Sequence, residues 1–480
     1  MRVKLKPAKC SLDIGDGSER GEYVSQDYIL NKLGRPHRNV GLMYTYYPLD
    51  KEWPKRSSEA YPDMEVHGQW DYPYDDYFPY GGGLNGDKNS SVFKQMKDIR
   101  RHGQDVTLTL TIDIKVSDEH LIAIARDLRS YGRIWLRINH ECAGTWFTHN
   151  RRYTYEEIGE FFVRFHDIIK REAPNVTTVF CSGFAKPDGR MEQEDAFINA
   201  FKKADVHSGD RYFSLHHGWP FDVCDTGDWT YTINDNEDSE SYIELVKKTI
   251  ARLAEINDGK IKPFSASEFN ADGDVTGPEF QGKPMLYFAK YIMEHGIEGF
   301  SNFSLYQFRD RGRLGLEMED PNCPEVGIEQ PLMRDYKWVL KQDYFNPGIE
   351  KLENINTKDE VNIPMRWGGA DDSEGILMKV KLEKKPVFFE MALPRDMNLM
   401  VSVNGRWFYK APGIRMIDCM PAFFSQDAEA LNTPGEIDVM VFAPPFDGEN
   451  PVTDAEDWDL NYRTIMTSLP KLRVRYEPCK

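Results

Sequence analysis

Short apolar runs alternate along the chain with segments in which hydrophobic residues recur at helical spacing. Such runs are typical of parallel strands that are buried on both faces. Eight strands are predicted, over residues 8–15, 39–47, 105–114, 133–139, 176–182, 211–217, 262–268 and 299–308. A helix is predicted after each strand, over residues 23–34, 91–103, 117–131, 154–172, 195–204, 239–257, 283–295 and 332–345. Eight strand-then-helix units predict an α/β fold, a closed (β/α)8 barrel over residues 1–348.

Two of these helices carry recognisable end signals. Gly34 follows the last apolar position of the first helix, where a glycine can take the left-handed conformation of a C-cap. Thr154 and Glu157 have the spacing of a capping box at the start of the fourth helix.

The pattern changes near residue 350. A polar stretch over residues 350–364 is interpreted as a linker. Short strand-like runs follow it, over residues 375–382, 386–393, 398–403, 406–410, 436–443 and 471–476. Asn404-Gly405 lies between two of these runs and predicts a tight hairpin. Residues 349–480 are therefore predicted to form an accessory all-β sandwich domain.

The composition argues against some classes of binding partner. The 480 residues include 40% hydrophobic and 13% aromatic residues, and the formal net charge is −18. With a sequence pI of about 5.2 and no basic stripe, nucleic acid and anionic membrane surfaces are not expected as partners. The aromatic content suits stacking against the flat faces of sugar rings, although a large core could also account for it.

No cofactor or metal site is expected. The seven cysteines include no CxxC pair, so neither a zinc site nor a disulfide framework is indicated. The glycine-rich residues 81–86 lack the Lys-Ser/Thr of a phosphate loop. No apolar run is long enough for a membrane span, and the first residues lack the apolar core of a signal peptide. A cytoplasmic location is expected, or a secreted one if a signal peptide has been removed.

Two glutamates stand where barrel enzymes carry their chemistry. Glu141 follows the apolar run of the fourth strand, and Glu268 ends that of the seventh. The C-terminal ends of the strands meet at one mouth of the barrel. Glycoside hydrolysis needs two carboxyl groups that flank the bond to be cut. The alternative is that both glutamates are structural and pair with Arg137 or a lysine.

Polar residues at other strand ends are further candidates. Asp13 ends the first strand and could bind sugar hydroxyls or cap the following segment. His216 and His217 end the predicted sixth strand and face opposite ways, so one of them could line the site.

The fourth strand resembles the motif of a known family. Glycoside hydrolase family 26, the β-mannanases and relatives within clan A, has the pattern Arg-x-x-His-Glu-x-x-Gly-x-Trp at this strand. The chain has Arg137, His140, Glu141, Gly144 and Trp146 in the same register. Three further segments resemble the family: Leu-Gly-Arg-Pro at residues 33–36, the segment 92–112 and the run that ends at Glu268. The resemblance covers residues 8–345.

The resemblance implies roles for individual residues. Glu141 would be the acid/base and Glu268 the nucleophile. His140 would orient groups around the reacting sugar, and Trp146 would stack on a sugar ring.

The chain departs from the family pattern in three places. Cys142-Ala143 follows the His-Glu pair, where the family usually has Met-Asn. Near the sixth strand, the family has a tyrosine that hydrogen-bonds the nucleophile. The nearest counterpart in this chain is Trp219, unless His216 or His217 takes over that contact. The family usually has a tryptophan at the eighth strand, where this chain has Tyr306 and Phe308.

The functional hypothesis is a retaining glycoside hydrolase that cleaves a β-linked oligosaccharide or polysaccharide of β-mannan, β-glucan or β-xylan type. One alternative is a sugar-binding barrel without turnover, which the missing tyrosine would favour. The other is a metal-dependent barrel hydrolase or lyase, for which His140 and the pair His216/His217 are the candidate ligands.

Overall fold

The chain forms a closed parallel barrel and antiparallel sheets in a computed structural model. The structure describes residues 1–480 except 19–20, 51–77, 145–149, 151, 215–234, 356–360, 425–434, 450–461 and 479–480. Within these described ranges, no helix has the length and apolar character needed to cross a bilayer.

The predicted barrel is confirmed. After β1 (Arg2–Lys6), the barrel strands are β2 (Ser11–Gly15), β3 (Asn39–Tyr46), β4 (Asp105–Ile112), β5 (Ile134–Ile138), β6 (Val176–Cys181), β7 (Val206–Tyr212), β8 (Phe264–Asn270) and β9 (Phe300–Leu305). The helices around them are α1 (Gln26–Leu33), α2 (Ser91–Arg101), α3 (Asp118–Leu128), α4 (Tyr155–Glu172), α5 (Glu194–Lys203), α6 (Asp235–Ile256), α7 (Gly273–Thr276), α8 (Lys283–His295) and α9 (Leu332–Leu340). Neighbouring barrel strands pair in parallel, and β9 pairs with β2 to close the barrel.

The local end signals have the predicted geometry. Gly34 is left-handed at the C-cap of α1, with φ 75°. Thr154 and Glu157 form both hydrogen bonds of a capping box at α4.

Apolar packing fixes β8 against its covering helix. Phe288 of α8 is fully buried and lies 5.3 Å from Phe269 and 5.7 Å from Phe303, measured between ring centroids. Burying one such side chain contributes about 1.5–3 kcal/mol. This packing holds the strand that carries Glu268.

The sixth barrel strand lies earlier than predicted. β7 spans Val206–Tyr212, whereas the sequence pattern placed it at residues 211–217. β7 contains Ser208 and Asp210, which face the polar barrel interior and break the apolar pattern. The hydroxyls of Ser208 and Ser267 on β8 form a hydrogen bond of 2.6 Å.

The accessory region contains further antiparallel strands. They follow the short strands β10 (Arg309–Asp310), β11 (Glu317–Asp320) and β12 (Cys323–Glu329), and are β13 (Gly348–Lys351), β14 (Ile363–Trp367), β15 (Ser373–Leu382), β16 (Phe388–Ala392), β17 (Leu399–Val403), β18 (Arg406–Lys410), β19 (Met416–Asp418), β20 (Gly435–Phe442), β21 (Tyr462–Met466) and β22 (Lys471–Arg475), with α10 (Pro421–Phe424). A large sheet contains β17 and β20, and a three-stranded sheet has the order β19-β16-β22. One core cluster joins Val401 and Val439 of the large sheet to Phe389 and Met391 of the small one. This arrangement is the predicted sandwich.

The large sheet takes a strand from the start of the chain. β1 pairs with β13 and β15, so residues 2–6 do not belong to the barrel, to which residues 1–348 were assigned. Val3 and Leu5 are buried and alternate with basic residues, the pattern of a strand with one buried face. β13 lies partly in the predicted linker and is the partner that β1 needs.

The accessory sheet packs against the N-terminal ends of the barrel strands. Asp371 forms ion pairs with Arg38, which precedes β3, and with Arg133, which precedes β5. Gly103, at φ 79°, precedes β4, and a Cβ there would lie 2.8 Å from the ring of Trp367. The opposite, C-terminal end of the barrel is where catalytic groups lie in this fold.

Candidate active site

Glu141 and Glu268 come together at one end of the barrel. Glu141 lies three residues after the end of β5, and Glu268 is in β8. One oxygen of each, together with one of Asp210 on β7, lies within 4.8 Å of the others. Retaining glycosidases have their two carboxyl groups about 5–5.5 Å apart, and inverting ones about 6.5–9.5 Å apart. The two glutamates therefore lie closer together than the carboxyl pair of an inverting enzyme.

Both oxygens of Glu268 accept hydrogen bonds from buried donors. Nη2 of Arg137 donates to Oε1, and the hydroxyl of Tyr212 donates to Oε2 at 2.6 Å. Nε2 of His140 lies 4.0 Å from Oε1. An ionised carboxylate accepts hydrogen bonds and cannot donate one, so these donors match the ionised form of Glu268.

Tyr212 is held as a neutral donor. Burial and the charge of Glu268 raise the pKa of its hydroxyl. Its ring meets that of Tyr306 edge to face, with 6.2 Å between the centroids. The hydroxyl therefore keeps its proton and its direction toward Glu268.

Arg137 links three elements of the barrel interior. Its Nε donates to Thr109 Oγ1 at 2.9 Å, and its Nη1 donates to the two oxygens of Asp210 at 3.2 and 3.3 Å. Burial alone would lower the pKa of Arg137, but the charges of Glu268 and Asp210 raise it. A permanent cation thus lies beside Asp210 and Glu268.

One arginine charge does not balance three buried carboxylates, so the group favours proton uptake. Burial raises the pKa of Glu141 well above its usual value, and the charges of Glu268 and Asp210 raise it further. Burial and Glu268 raise the pKa of Asp210 to about 7, while Arg137 and a hydrogen bond from Glu141 act in the opposite direction. The proton of the Glu141–Asp210 hydrogen bond therefore belongs to Glu141.

The backbone that presents Glu141 is unusual. Glu141 and Asn139 have φ values of 48° and 45°, a left-handed conformation that costs a non-glycine residue about 1–3 kcal/mol. Side-chain hydrogen bonds hold it: Asn139 Oδ1 accepts from Ile112 N at 2.7 Å, and Asn150 Nδ2 donates to the carbonyls of Glu141 and Gly144 at 2.8 Å. Conformations of this kind are concentrated at functional sites.

The structure gives the other predicted residues different positions. Tyr306 is buried and lines one cavity with Arg137 and Glu268, and its hydroxyl donates to Ser18 Oγ at 3.0 Å. Asp13 lines the same cavity, but its carboxylate accepts hydrogen bonds from Asn39 and Asn302 on the two neighbouring strands. Asp13 therefore joins strands inside the barrel and is not presented at the mouth.

Several predicted residues lie outside the part of the chain that the structure describes. They are Trp146, His216, His217 and Trp219.

Asp210 and Tyr212 were not predicted as site residues. Trp219, or one of His216 and His217, was expected where the family has a tyrosine beside the nucleophile, and Tyr212 makes this contact instead. The signal was present: Asp210 and Tyr212 are two residues apart, so in a strand both face the interior. The misplaced strand boundary concealed it.

The three carboxylates could also approach a divalent cation. Oxygen ligands of this kind suit Mg²⁺ or Ca²⁺. Arg137 already contacts Glu268 Oε1 and both oxygens of Asp210. A metal ion would compete with this guanidinium for the same oxygens.

Known proteins resemble this chain in structure rather than in sequence. No protein-family model and no curated protein sequence matches the chain. Among solved structures, it is similar to the catalytic domain of the Bacillus sp. JAMB-750 family 26 endo-β-1,4-mannanase, at 12% identity over 70% of this chain and 86% of that one, with a TM-score of 0.44. It is also similar to a family 51 α-L-arabinofuranosidase from Bifidobacterium longum, at 13% identity over 92% and 97% of the chains, with a TM-score of 0.42.

A family 39 glycoside hydrolase from Bacteroides cellulosilyticus matches at 10% identity over 91% of this chain and 81% of that one, with a TM-score of 0.44. The chain is similar in fold to these clan A glycoside hydrolases, family 26 mannanases among them.

Proposed function

We propose that the protein is a retaining glycoside hydrolase that cleaves β-linked oligosaccharides or polysaccharides. The observation that carries the proposal is the contrast between two adjacent carboxyl groups. Glu268 accepts hydrogen bonds from Arg137 and Tyr212, whereas Glu141 is buried beside two acidic groups that keep it protonated. Pairs of carboxyls in contrasting environments mark acid and base roles.

In the first step, Glu268 attacks the anomeric carbon and forms a glycosyl ester while the bond to the leaving oxygen breaks. Glu141 gives its proton to that oxygen. Arg137 and Tyr212 hold the nucleophile in one orientation, so little reorganisation is needed in the transition state.

In the second step, water replaces the enzyme's carboxylate. Esterification removes the charge of Glu268, which is one of the causes that raise the pKa of Glu141. Glu141, now ionised, takes a proton from the attacking water, and Glu268 leaves as a carboxylate. Asp210 accepts the hydrogen bond of Glu141 between turnovers.

Substrate contacts are assigned by the family resemblance. His140 would orient the reacting sugar, and Trp146 would stack on a sugar ring. A β-mannan, β-glucan or β-xylan type of chain and the β configuration come from the same resemblance. The purely structural alternative accounts for the Arg137–Glu268 pair but gives no reason for a protonated Glu141.

The test is sugar release from β-mannan, β-glucan and β-xylan oligosaccharides by wild type and Glu268→Gln. Wild type should cleave at least one member, and Glu268→Gln should lose cleavage. Glu294→Gln is the matched control, because Glu294 is exposed on α8 away from the site. Cleavage that survives in Glu268→Gln would exclude Glu268 as the nucleophile.

A sugar-binding protein without turnover would bind one oligosaccharide in the same panel and release no product. The sequence favoured this alternative because a tyrosine beside the nucleophile was missing. Tyr212 contacts Glu268, so this reason no longer applies. A metal-dependent hydrolase would lose its activity on dialysis against a chelator and regain it on addition of a divalent cation.

A further inference from the structure

A cavity of about 450 Å³ lies between the barrel and the accessory sheet. It is at the N-terminal ends of the barrel strands, opposite the candidate active site. Small-molecule sites are usually cavities of about 300–1,000 Å³ and often lie between domains. The residues on its walls include Leu12, Arg35, His37, Met400, Ser402 and Trp407.

Most of the wall is apolar. On the sheet side, Met400, Ser402 and Met440 line the cavity, whereas Val401 and Val439 face the sandwich core. The alternation of side chains along β17 and β20 separates these two faces. The space between the domains therefore accepts an apolar body, and its size exceeds that of a single side chain.

Arg35 is the cationic group on the cavity wall that forms no ion pair with the described residues. Its Nη1 is buried without a hydrogen-bond partner, and across the described ranges its side chain forms no ion pair. Burial lowers its pKa, whereas the charge of Asp343, which also lines the cavity, acts in the opposite direction. By contrast, Arg38 also lines the cavity and pairs with Asp371 at 3.0 Å.

The segment that carries Arg35 is held rigidly. Gly34 is the left-handed C-cap of α1, and its carbonyl accepts a hydrogen bond from Trp407 N at 2.8 Å. Arg406 donates to Asn31 O at 2.7 Å. This segment is the Leu-Gly-Arg-Pro motif of residues 33–36, which the proposed catalytic function does not use.

We propose that this cavity binds a small monocarboxylate with an apolar body, whose carboxylate pairs with Arg35. A guanidinium with a buried, unpartnered Nη1 gains from a carboxylate, because the two form charge-assisted, bidentate hydrogen bonds. The apolar walls cover the rest of the molecule.

The other charges on the wall favour a single negative charge. Burial lowers the pKa of His37 to about 3, so this histidine is neutral. Asp343 and Asp438 line the cavity and are exposed at its rim. Their negative charges would repel a polyanion.

The test is calorimetric titration of the full chain with octanoate and 3-phenylpropanoate, each against its neutral amide. The carboxylates should bind at least about tenfold more tightly than the amides, as expected for loss of one charge-assisted contact. The preference between the two acids identifies a linear or an aromatic body. Equal binding of acid and amide, or no binding up to the solubility limit, would overturn the proposal.

Two variants locate the binding. Arg35→Gln should weaken carboxylate binding at least about tenfold, and Ser402→Leu, which places a larger side chain on the wall, should abolish it. Arg395→Gln is the matched control, because Arg395 is exposed on the accessory domain outside the cavity. If carboxylates bind both variants as tightly as they bind the control, they bind elsewhere and the assignment is wrong.

Discussion

The hydroxyl of Tyr212 lies 2.6 Å from Oε2 of Glu268, on adjacent strands of the barrel. Arg137 holds the other oxygen of the same carboxylate. Between them, the two donors fix the carboxylate plane and leave it beside Glu141. The proposed nucleophile is therefore oriented by two side chains from two strands, β5 and β7.

Replacing Tyr212 by phenylalanine removes one of these donors and keeps the ring. We expect kcat/KM to fall about 10- to 100-fold, because a hydrogen bond to a charged group contributes about 1.5–3 kcal/mol. Tyr242→Phe is the control, since its ring packs 5.8 Å from Phe269 on β8. A loss of activity that is equal in both variants would contradict the role of Tyr212.

Replacing Glu141 by alanine tests its role as proton donor. Hydrolysis of unactivated oligosaccharides should fall by about 10²–10⁴-fold, the usual contribution of general acid catalysis. Glycosides with a dinitrophenyl leaving group need no protonation, so with them the burst of released phenol should persist while turnover slows. Azide should restore turnover and yield a glycosyl azide. If the burst falls as much as hydrolysis of the oligosaccharides, Glu141 is not the acid.

The barrel could be predicted because its signal is local and repeated. All eight strand-then-helix units are present, and Glu141 and Glu268 lie near the C-terminal ends of β5 and β8. The pattern was weakest at β7, where Ser208 and Asp210 replace apolar residues because they face the polar interior. Similarly, β1 pairs with strands more than 340 positions away, and no local pattern indicates such a partner.

The protonation states of the site's carboxyl groups could not be predicted from the sequence. They depend on one arginine lying among three carboxylates that come from β5, β7 and β8. A motif such as that from Arg137 to Glu141 locates residues on one strand. The distances between strands, which determine the pKa of Glu141, arise only when the barrel closes.

Replacing Arg137 by methionine should destabilise the fold by about 3–5 kcal/mol, because it leaves Asp210 and Glu268 buried without a counter-charge. Urea denaturation at about pH 8, above the pKa of about 7 of Asp210 in the wild type, measures this loss. Adding Asp210→Asn to Arg137→Met should recover part of it, since one buried charge is then absent. Destabilisation below about 1 kcal/mol would show that water or another group compensates these charges.

The pH dependence of stability tests the state of Asp210. Its pKa rises from 3.8 to about 7 on folding, chiefly through burial and the charge of Glu268. Between these pH values the folded state binds more protons than the unfolded state, so this contribution is complete below 3.8 and is lost as the pH rises toward 7. Asp210→Asn should remove a slope of at most about 1.4 kcal/mol per pH unit.

Asp205→Asn provides a control of opposite sign. Burial would raise the pKa of Asp205, but Lys170 and the hydrogen bonds from Thr178 lower it below 3.8. Its contribution is therefore present above 3.8 and is lost on acidification. Urea denaturation of the three proteins between pH 4 and 7 should give a flatter decline only for Asp210→Asn, because Asp205 is ionised in both states across most of this range. A wild-type decline that persists in Asp210→Asn would assign it to another buried acid, of which Glu141 is the nearest.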